Sequence, residues 1–262
     1  MHSQSYDIHV QSLSQLTHGQ EWRLTTTHDR PYHLLIWITR GQGRALLDGT
    51  RRGIGAHNAL FIPANAIFAL ELGRQSIGHS LILPTGTELR LPEIPRHLRI
   101  RDKQTQGELT NLIEAASRED QGHRPLRGDA LEAHAALISV WLRREIMEEE
   151  HVPERRNAAA RLSKKFCDLI PGRFRTGDSM ADYAATLGVT PTHLTRAVKA
   201  ATGKTASDLL TERVLYEARM LLQETGEPAQ QIAAFLGFGS PAYFTRFIQQ
   251  HTGKAPSKLR TP

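Results

Sequence analysis

The chain has 262 residues, of which 39% are hydrophobic and 23% charged, and its formal net charge is +6. This length favours two domains, each large enough to bury a core. The first residues lack the apolar core and basic flank of a signal peptide, and no run is apolar enough to span a membrane, so we expect a cytoplasmic protein. The single cysteine, Cys167, excludes an internal disulfide and a zinc site built from several cysteines.

The positive charge is concentrated in the last part of the chain. Residues 1–153 contain 17 Lys and Arg against 18 Asp and Glu, whereas residues 154–262 contain 16 against 9. A basic domain beside a neutral one predicts contact with a polyanion, and nucleic acid is the first candidate. The alternative is a basic surface that only keeps the protein in solution.

Residues 1–100 are predicted to form a β barrel or sandwich. The run from Tyr32 to Leu72 alternates apolar and polar residues and is interrupted at Gly-Gln-Gly, Asp-Gly and Ile-Pro. Short strands separated by glycine turns are typical of such folds.

Residues 101–152 are predicted to be a helical segment. A helix from Asp129 to about Glu150 has an apolar stripe at spacings of three and four: Leu131, Ala135, Ile138, Leu142 and Ile146. The stripe needs a partner surface, either the chain's own barrel or the same helix of a second subunit in a homodimer. Residues 153–160 are predicted to be a linker, since Pro153 stops the helix and charges surround it. Residues 161–262 are predicted to be all helical.

The helical part contains one motif twice. The sequence LTRAVKAATGK at 194–204 returns as FTRFIQQHTGK at 244–254, and the similarity extends upstream to Tyr183 and Ile232. In each copy a helix ends in Leu-Gly, and a hydroxyl followed by proline, at Thr190 and Ser240, begins the next helix. This is the pattern of a helix-turn-helix, with Leu194 and Phe244 pointing inward.

The second helix of each copy is predicted to enter a DNA major groove. Side chains on its early turns can reach base edges, and an arginine can donate two hydrogen bonds to guanine, worth about 1–3 kcal/mol of discrimination. The predicted base-reading residues are Thr192, Thr195 and Arg196 in the first copy and Ala242, Thr245 and Arg246 in the second. The alternative for either arginine is a phosphate contact or packing of its stem.

The lysines near these helices are predicted to neutralise phosphates: Lys199, Lys204, Lys254 and Lys258. Between the copies an amphipathic helix of about 18 residues, with Leu210, Val214, Ala218 and Leu221 on one face, is about 27 Å long. This helix could place the two recognition helices about one DNA turn apart.

The run from Ala218 to Arg260 resembles the signature of the AraC family of bacterial transcriptional regulators, in IAAFLGF, YFTRF and TGKAPSKLR. The resemblance covers roughly residues 160–262. It implies two recognition helices in successive major grooves of double-stranded promoter DNA, an amino-terminal domain that senses a small organic effector or dimerises, and RNA polymerase as a partner if the protein is an activator. The first copy departs from common members at Thr192, where they have a large aromatic or polar residue.

Residues 10–95 resemble the cupin-type barrel found in many members of that family. An effector could lie in a barrel interior lined by His28, Tyr32, His33, Trp37, Phe61 and Phe68, or these side chains could fill the core. The barrel also raises the alternative of a metal-dependent cupin enzyme fused to a DNA-binding domain. The spacing of His28, His33, His57 and His79 does not resemble the cupin ligand pattern, and Phe68 stands where a late histidine is expected, so we expect no metal and no cofactor.

A DNA-repair methyltransferase with a similar DNA-binding half would need a nucleophilic cysteine and a cysteine-bound zinc, but Cys167 is alone and is expected to be buried. The sequence therefore predicts an α+β multidomain regulator that binds DNA without catalysis: a cupin-like barrel with a helical segment, then an all-α domain with two helix-turn-helix units.

Overall fold

The computed structural model describes residues 7–122, 124–148 and 157–260. Within these ranges no helix combines the length and the apolar character needed to cross a membrane. The first part of the chain is rich in strands. They are β1 (His9–Ser12), β2 (His33–Arg40), β3 (Gln42–Leu47), β4 (Thr50–Gly55), β5 (Asn58–Ile62), β6 (Phe68–Leu72), β7 (Ile77–Leu83) and β8 (Arg96–Arg99), with two short helices, α1 (Leu13–Thr17) and α2 (Trp22–Thr25).

The larger sheet has five antiparallel strands in the order β1-β7-β2-β5-β8. Its central strand β2 is an almost continuous apolar run because both of its faces are covered. Leu34 and Ile36 face the second sheet, whereas Leu35 and Trp37 face the helices that follow the strands. Both sets of side chains are at most 1% exposed, so this sheet lies in the middle of the amino-terminal region.

The smaller sheet has three strands in the order β4-β3-β6. Its β3–β4 hairpin turns at Asp48 and Gly49, which both have positive φ, as the Asp-Gly signal predicts for a two-residue turn. Leu47 lies on the inner face, between the two sheets, while Leu46 lies on the outer face and packs against the carboxy-terminal helices. The outer face of this sheet is therefore a contact surface between the two halves of the chain.

The strand-rich amino-terminal region and the α+β class are confirmed, but the predicted closed barrel is not. The described strands form two separate sheets, with β1 and β8 at the edges of one and β4 and β6 at the edges of the other. Closure into a barrel requires ladders between edge strands. Among the described residues no such ladder joins the two sheets, and the isolated bridge at the edge strand β6 pairs Phe68 with His28, which lies outside the strands.

Two helices, α3 (Lys103–Gln121) and α4 (Arg127–Met147), cover the other face of the larger sheet. The predicted helix at 129–150 corresponds to α4, and its last two predicted residues, Glu149 and Glu150, lie outside the described residues. Its predicted stripe is buried except for Ile146, which is partly buried. Because α3 and the larger sheet cover this stripe, its partner is the chain itself and not a second subunit.

The last part of the chain is helical throughout, as predicted, over residues 157–260. The helices are α5 (Ala158–Arg173), α6 (Met180–Thr186), α7 (Pro191–Thr202), α8 (Ala206–Glu224), α9 (Ala229–Phe235), α10 (Pro241–Thr252) and α11 (Pro256–Leu259). They share one apolar core. The Asn157 side chain caps α5 by accepting from the backbone N–H of Ala160 at 2.8 Å. Of the predicted linker at 153–160, residues 153–156 lie outside the described part, and residues 158–160 already belong to α5.

Candidate nucleic-acid interface

Two helix pairs in the carboxy-terminal half have the same local design. Helices α6 and α7 form the first pair, and α9 and α10 form the second. The turn within each pair contains a glycine with positive φ, Gly188 at 68° and Gly237 at 77°. Both predicted helix-turn-helix units are thus present in the structure.

The second helix of each pair begins where the sequence predicts. The side chains of Thr190 and Ser240 each accept a hydrogen bond of 3.2 Å from the backbone N–H three residues later, and a proline occupies the first helical turn. Leu194 and Phe244, one turn further on, have no exposed surface. Each of these helices is therefore capped at its start and packed onto the core through a buried apolar side chain.

The second unit has an aromatic support that the first lacks. The ring of Phe238, in the α9–α10 turn, lies 5.1–5.6 Å from the rings of Tyr243, Phe244 and Phe247. Ile248 is fully buried beneath them, whereas Phe247 is partly buried. Tyr243 stays 54% exposed at the start of α10, so the second recognition helix presents an aromatic ring as well as polar groups.

The predicted base-reading residues lie on the outer faces of α7 and α10. Five of the six are exposed, and Thr195 is half-buried: the exposed residues are Thr192, Arg196, Ala242, Thr245 and Arg246. The Thr245 hydroxyl donates to the carbonyl of Pro241 at 2.9 Å, so its free hydrogen-bonding capacity is that of an acceptor. Arg196 and Arg246 occupy equivalent outer positions on the two helices.

The four predicted phosphate-binding lysines are in two different situations. Lys199, Lys254 and Lys258 are exposed. Lys204 is half-buried, and its Nζ lies 2.7 and 2.9 Å from the two carboxylate oxygens of Glu212 on α8. One carboxylate oxygen of Glu212 also accepts from the backbone N–H and the hydroxyl of Thr27 in the amino-terminal half. Lys204 therefore belongs to a contact between the two halves of the chain.

Helix α8 joins the two units and has 19 residues, which corresponds to about 28 Å. Of its predicted apolar face, Ala218 is fully buried, and Leu210, Val214 and Leu221 are partly buried. Its buried residues also include Arg213 and Tyr216, which the apolar pattern did not indicate. These two side chains face the amino-terminal half, so α8 is covered on more than one side.

The contacts of Arg213 and Tyr216 are specific. Arg213 is 3% exposed, is ion-paired with Asp29 and lies 3.0 Å from the carboxylate of Glu217. The ring of Tyr216 stacks on that of His28, with centroids 4.1 Å apart and planes at 11°. The sequence does not predict these contacts, because nothing in the pattern around Arg213 or Tyr216 indicates a partner in the amino-terminal half.

Near the same contact, Arg23 binds Glu224 at the end of α8, with 2.7 Å between the Nη1 atom and the carboxylate. The segment from Arg23 to Asp29 is therefore ion-paired with α8 at two places, at Arg213 near the middle of the helix and at Glu224 at its end. Ion pairs, hydrogen bonds and a ring stack thus connect this segment to the spacer between the two recognition helices.

The side chains predicted to line an effector pocket are mostly core residues. His28, Trp37, Phe61 and Phe68 have no exposed surface, and Tyr32 is 6% exposed. The ring N–H of His28 donates to the carbonyl of Thr26 at 2.8 Å, and burial, followed by the charge of Arg30, holds the pKa of His28 well below its usual value. His33 is half-buried, and burial lowers its pKa. The alternative interpretation, that these aromatic side chains fill the core, fits their burial.

A cleft of about 1750 Å³ lies instead between the two halves. Its walls come from the segment around Arg23 to Tyr32, the loop at 84–89, the start of α4 and the outer side of α8. Tyr32 is the one residue of the predicted pocket that lines it. The arginines on its walls include Arg23 and Arg213, which are already paired with acidic residues.

Among the described residues, no three His, Cys, Asp or Glu side chains come together as a set of metal ligands. Cys167 is buried in α5, as predicted, and burial raises the pKa of its thiol to about 12. A thiol with so high a pKa is a poor nucleophile near neutral pH.

The geometry agrees with the comparisons with known proteins. A family model described as a helix-turn-helix domain matches residues 183–261. The chain is 28% identical over 132 residues to the HTH-type transcriptional regulator GlxA of Rhizobium meliloti (strain 1021), covering 48% of this chain and 41% of that protein. It is 37% identical over 73 residues to the probable transcription factor PqrA of Proteus vulgaris, covering 28% of this chain and 60% of that protein. The chain thus spans about half the length of these curated relatives.

The comparison with solved structures returns ToxT from Vibrio cholerae, at 13% identity and a TM-score of 0.43, covering 99% of this chain and all of that one. A form of wild-type ToxT bound to an unsaturated fatty acid gives 15% identity and a TM-score of 0.46, covering 99% and 96%. A regulator with an AraC-type DNA-binding domain from Chromobacterium violaceum is 32% identical over 32% of this chain and 74% of its own, with a TM-score of 0.29.

The two helix pairs, their matched caps and the family model define the carboxy-terminal part as a helix-turn-helix DNA-binding domain. More particularly, residues 183–261 match that helix-turn-helix model, and their motifs resemble those of the AraC type.

Proposed function

We propose that the protein is a sequence-specific transcription regulator that reads successive major grooves of double-stranded DNA with α7 and α10. In this proposal residues 1–100 are a cupin-like sensing region, residues 101–152 the helical segment and residues 161–262 the DNA-binding domain. The linker, predicted at 153–160, ends where α5 begins at Ala158. The sequence preference comes from base contacts by the six predicted base-reading residues, and the affinity comes largely from phosphate contacts by the three exposed lysines, Lys199, Lys254 and Lys258.

The observation that carries the proposal is the pairing of two capped recognition helices with exposed outer faces on one continuous spacer. Arg196 and Arg246 project from equivalent turns, and α8 provides about 28 Å between the units, close to the roughly 34 Å of one DNA turn. Two recognition helices at this distance can bind the same side of the double helix. The excess of basic over acidic residues in this half supports binding to a polyanion.

The experiment has two stages. Genomic fragments that bind the purified chain are first selected and sequenced, which yields a binding site. Arg246→Ala and Lys254→Ala are then compared on that site and on versions with single base changes. We expect Arg246→Ala to lose about 1–3 kcal/mol on the preferred site and to relax the preference at one position, because a guanidinium that reads a base discriminates among bases.

Lys254→Ala is the matched control, since it removes one positive charge next to the same helix. It should weaken binding to all sequences alike, because a phosphate contact carries no base information. Equal losses on every sequence for both variants would contradict a base-reading role for Arg246. Absence of any selected site would contradict sequence-specific binding itself.

The proposal includes modulation by a small organic effector, and the cleft supports this part. Its α8 wall contains Arg213, Tyr216 and Met220, so a molecule bound there would touch the spacer between the recognition helices directly. A ligand screen by thermal shift tests this, with Ala136→Trp as the control because Ala136 lines the cleft from α4. A compound that stabilises the parent chain and not the variant supports the site, and a compound that stabilises both equally argues against it.

The remaining partners are also proposals. A homodimer would have to use surfaces other than the covered stripe of α4, and RNA polymerase would be contacted if the protein activates transcription. We assign no catalytic step to the chain. The alternative, a metal-dependent enzyme fused to the DNA-binding domain, predicts a stoichiometric transition metal in elemental analysis of the purified protein.

A further inference from the structure

The outer face of α7 carries a line of exposed positions that runs the length of the helix. Thr192, Arg196, Lys199 and Gly203 follow one another at spacings of four, three and four, so they lie on one side of the helix. The first three are predicted DNA contacts. Gly203, at the carboxy-terminal end of this line, has no side chain of its own to contribute.

A side chain from the amino-terminal half occupies that end. The Nη1 atom of Arg51, on β4, lies 3.4 Å from the position that a Cβ atom would take on Gly203. Arg51 is paired across the ladder with Leu46, whose side chain packs into the core of the carboxy-terminal half. The docking of the smaller sheet on α7 therefore brings the Arg51 guanidinium to the end of the line formed by Arg196 and Lys199.

The position suits the edge of a DNA groove. Gly203 is seven residues beyond Arg196, about 10 Å along the helix axis. The major groove is about 12 Å wide, so a helix that places its first turns against the bases brings its far end close to the phosphate backbone. The neighbouring Lys204 is held by Glu212, whereas Arg51 stays exposed at this end of α7, with the exposed Arg44 of β3 on the same side of the sheet.

Arg51 is free to make such a contact. Its described ionic partner is Glu71, at 3.4 Å, and the two side chains are 43% and 45% exposed. An exposed pair at this distance is weak, since water screens both charges. A phosphate can compete with Glu71 for a guanidinium, which matches phosphate geometry with two parallel hydrogen bonds.

We propose that Arg51 of the amino-terminal sheet binds a DNA backbone phosphate at the edge of the groove read by α7, so that the DNA-binding surface is composite. This inference rests on the proposed function, since it requires α7 to lie in the groove. It extends the DNA-contacting surface beyond the helix-turn-helix domain, to a residue that no helix-turn-helix motif contains.

The test is the salt dependence of DNA binding by the full-length chain, measured by fluorescence anisotropy with a random-sequence duplex of about 30 base pairs, roughly three turns. Removing one phosphate contact should reduce the slope of log K against log salt by about 0.9. Between about 50 and 200 mM salt, the parent chain should then lose about 3.5-fold more affinity than Arg51→Ala. Arg51→Lys should restore most of the slope.

Arg52→Ala is the matched control, because Arg52 is the next residue of β4 and points to the opposite face. There burial, followed by the charges of Arg99 and Arg52, lowers the pKa of His97. It removes the same charge, and its slope should equal that of the parent chain. Glu71→Gln should bind more tightly than the parent, since it removes the competitor for Arg51. Circular dichroism of each variant confirms that it is folded.

The outcomes separate this inference from the proposed function. If the parent chain binds no duplex, the proposed function fails. If the parent chain and Arg196→Ala behave as expected for a DNA-binding helix, but Arg51→Ala keeps the parent slope, the inference about Arg51 is overturned alone. A slope that falls equally in Arg51→Ala and Arg52→Ala also overturns it, because the effect would then come from net charge and not from position.

Discussion

The contact between the β3–β4 hairpin and α5 depends on the absence of a side chain at Gly49. A Cβ atom built there would lie 2.6 Å from the backbone nitrogen of Lys164 and 2.8 Å from the carbonyl carbon of Ser163. The Ser163 hydroxyl donates to the Gly49 carbonyl at 2.7 Å, which fixes this close approach. Gly49→Ala should therefore push the hairpin away from α5.

The size of the effect follows from two costs. Gly49 has φ of +69°, and a residue with a Cβ in the left-handed region costs about 1–2 kcal/mol. Ordinary contact begins near 3.4 Å, so the two backbones must also separate by about 0.8 Å, and overpacking of this kind costs about 1–3 kcal/mol. Together they predict a loss of roughly 2–5 kcal/mol.

Gly19→Ala isolates the second cost. Gly19 has φ of +71°, but nothing lies within 4 Å of its built Cβ atom. The Gly19→Ala variant therefore has the same backbone cost as Gly49→Ala but no steric contact. Alanine also reduces the entropy of the unfolded chain equally in both variants. The difference between the two variants, about 1–3 kcal/mol, measures the steric contact between the hairpin and α5.

The assay is urea unfolding of both variants, with hydrogen exchange of the α5 amides as a local measure, because a chain with two cores need not unfold in one step. Faster exchange in α5 for Gly49→Ala and unchanged exchange for Gly19→Ala is the expected result. Equal losses of stability in the two variants, with unchanged exchange in α5, would refute the close packing of these two segments.

Two other predictions concern the contact between segment 23–29 and α8. Arg213→Leu should destabilise the protein by about 3–5 kcal/mol in denaturant unfolding, because it leaves Asp29 as a buried charge without its partner. Adding Asp29→Leu should recover part of the loss; a double variant less stable than either single one would contradict the pairing. For His28, burial holds the pKa of the folded state below the usual 6.5, so the unfolded state takes up the proton first and stability is lost as the pH falls below about 6.5. His28→Gln should flatten this pH dependence of the unfolding free energy, and an unchanged profile would assign it to other groups.

The helix-turn-helix units were predictable because their signals are local. A hydroxyl cap, a proline and a glycine each act within one turn of the chain, and at Thr190 and Ser240 the structure has the predicted hydrogen bonds. The start of α7 at Pro191 is correct for the same reason, whereas α5 begins at Ala158, inside the stretch predicted as linker. Local chemistry also predicted the hairpin turn at Asp48-Gly49.

The arrangement of the amino-terminal strands was not predictable to the same depth. Alternating residues indicate strands but not which edges pair, and β2 pairs with both β5 and β7 although β3 follows it in sequence. The aromatic residues assigned to a pocket, such as Trp37 and Phe61, have the same apolar character whether they line a cavity or fill a core. Their assignment depended on barrel closure, which the described strands do not show.

The contacts across the two halves were also beyond sequence reasoning, because they join residues between 114 and 201 positions apart. From the sequence, Glu212 is expected to be a solvent-facing helix residue. In the structure its carboxylate accepts hydrogen bonds from Thr27 and forms an ion pair with Lys204. Lys204 was therefore assigned to DNA from its neighbourhood in sequence, whereas the structure places it against a carboxylate. The Lys204–Glu212 pair lies within the carboxy-terminal half, and the amino-terminal half adds the hydrogen bonds of Thr27 to the same carboxylate.

These contacts give α8 two roles at once. It sets the distance between α7 and α10, and its residues from Glu212 to Glu224 bear the ion pairs and the ring stack that attach segment 23–29. Separation of the halves would remove the Thr27 hydrogen bonds from Glu212 and move Arg51 away from the end of α7. Because the same docking fixes both groups, the charge presented to DNA by the first unit depends on how the amino-terminal half is seated.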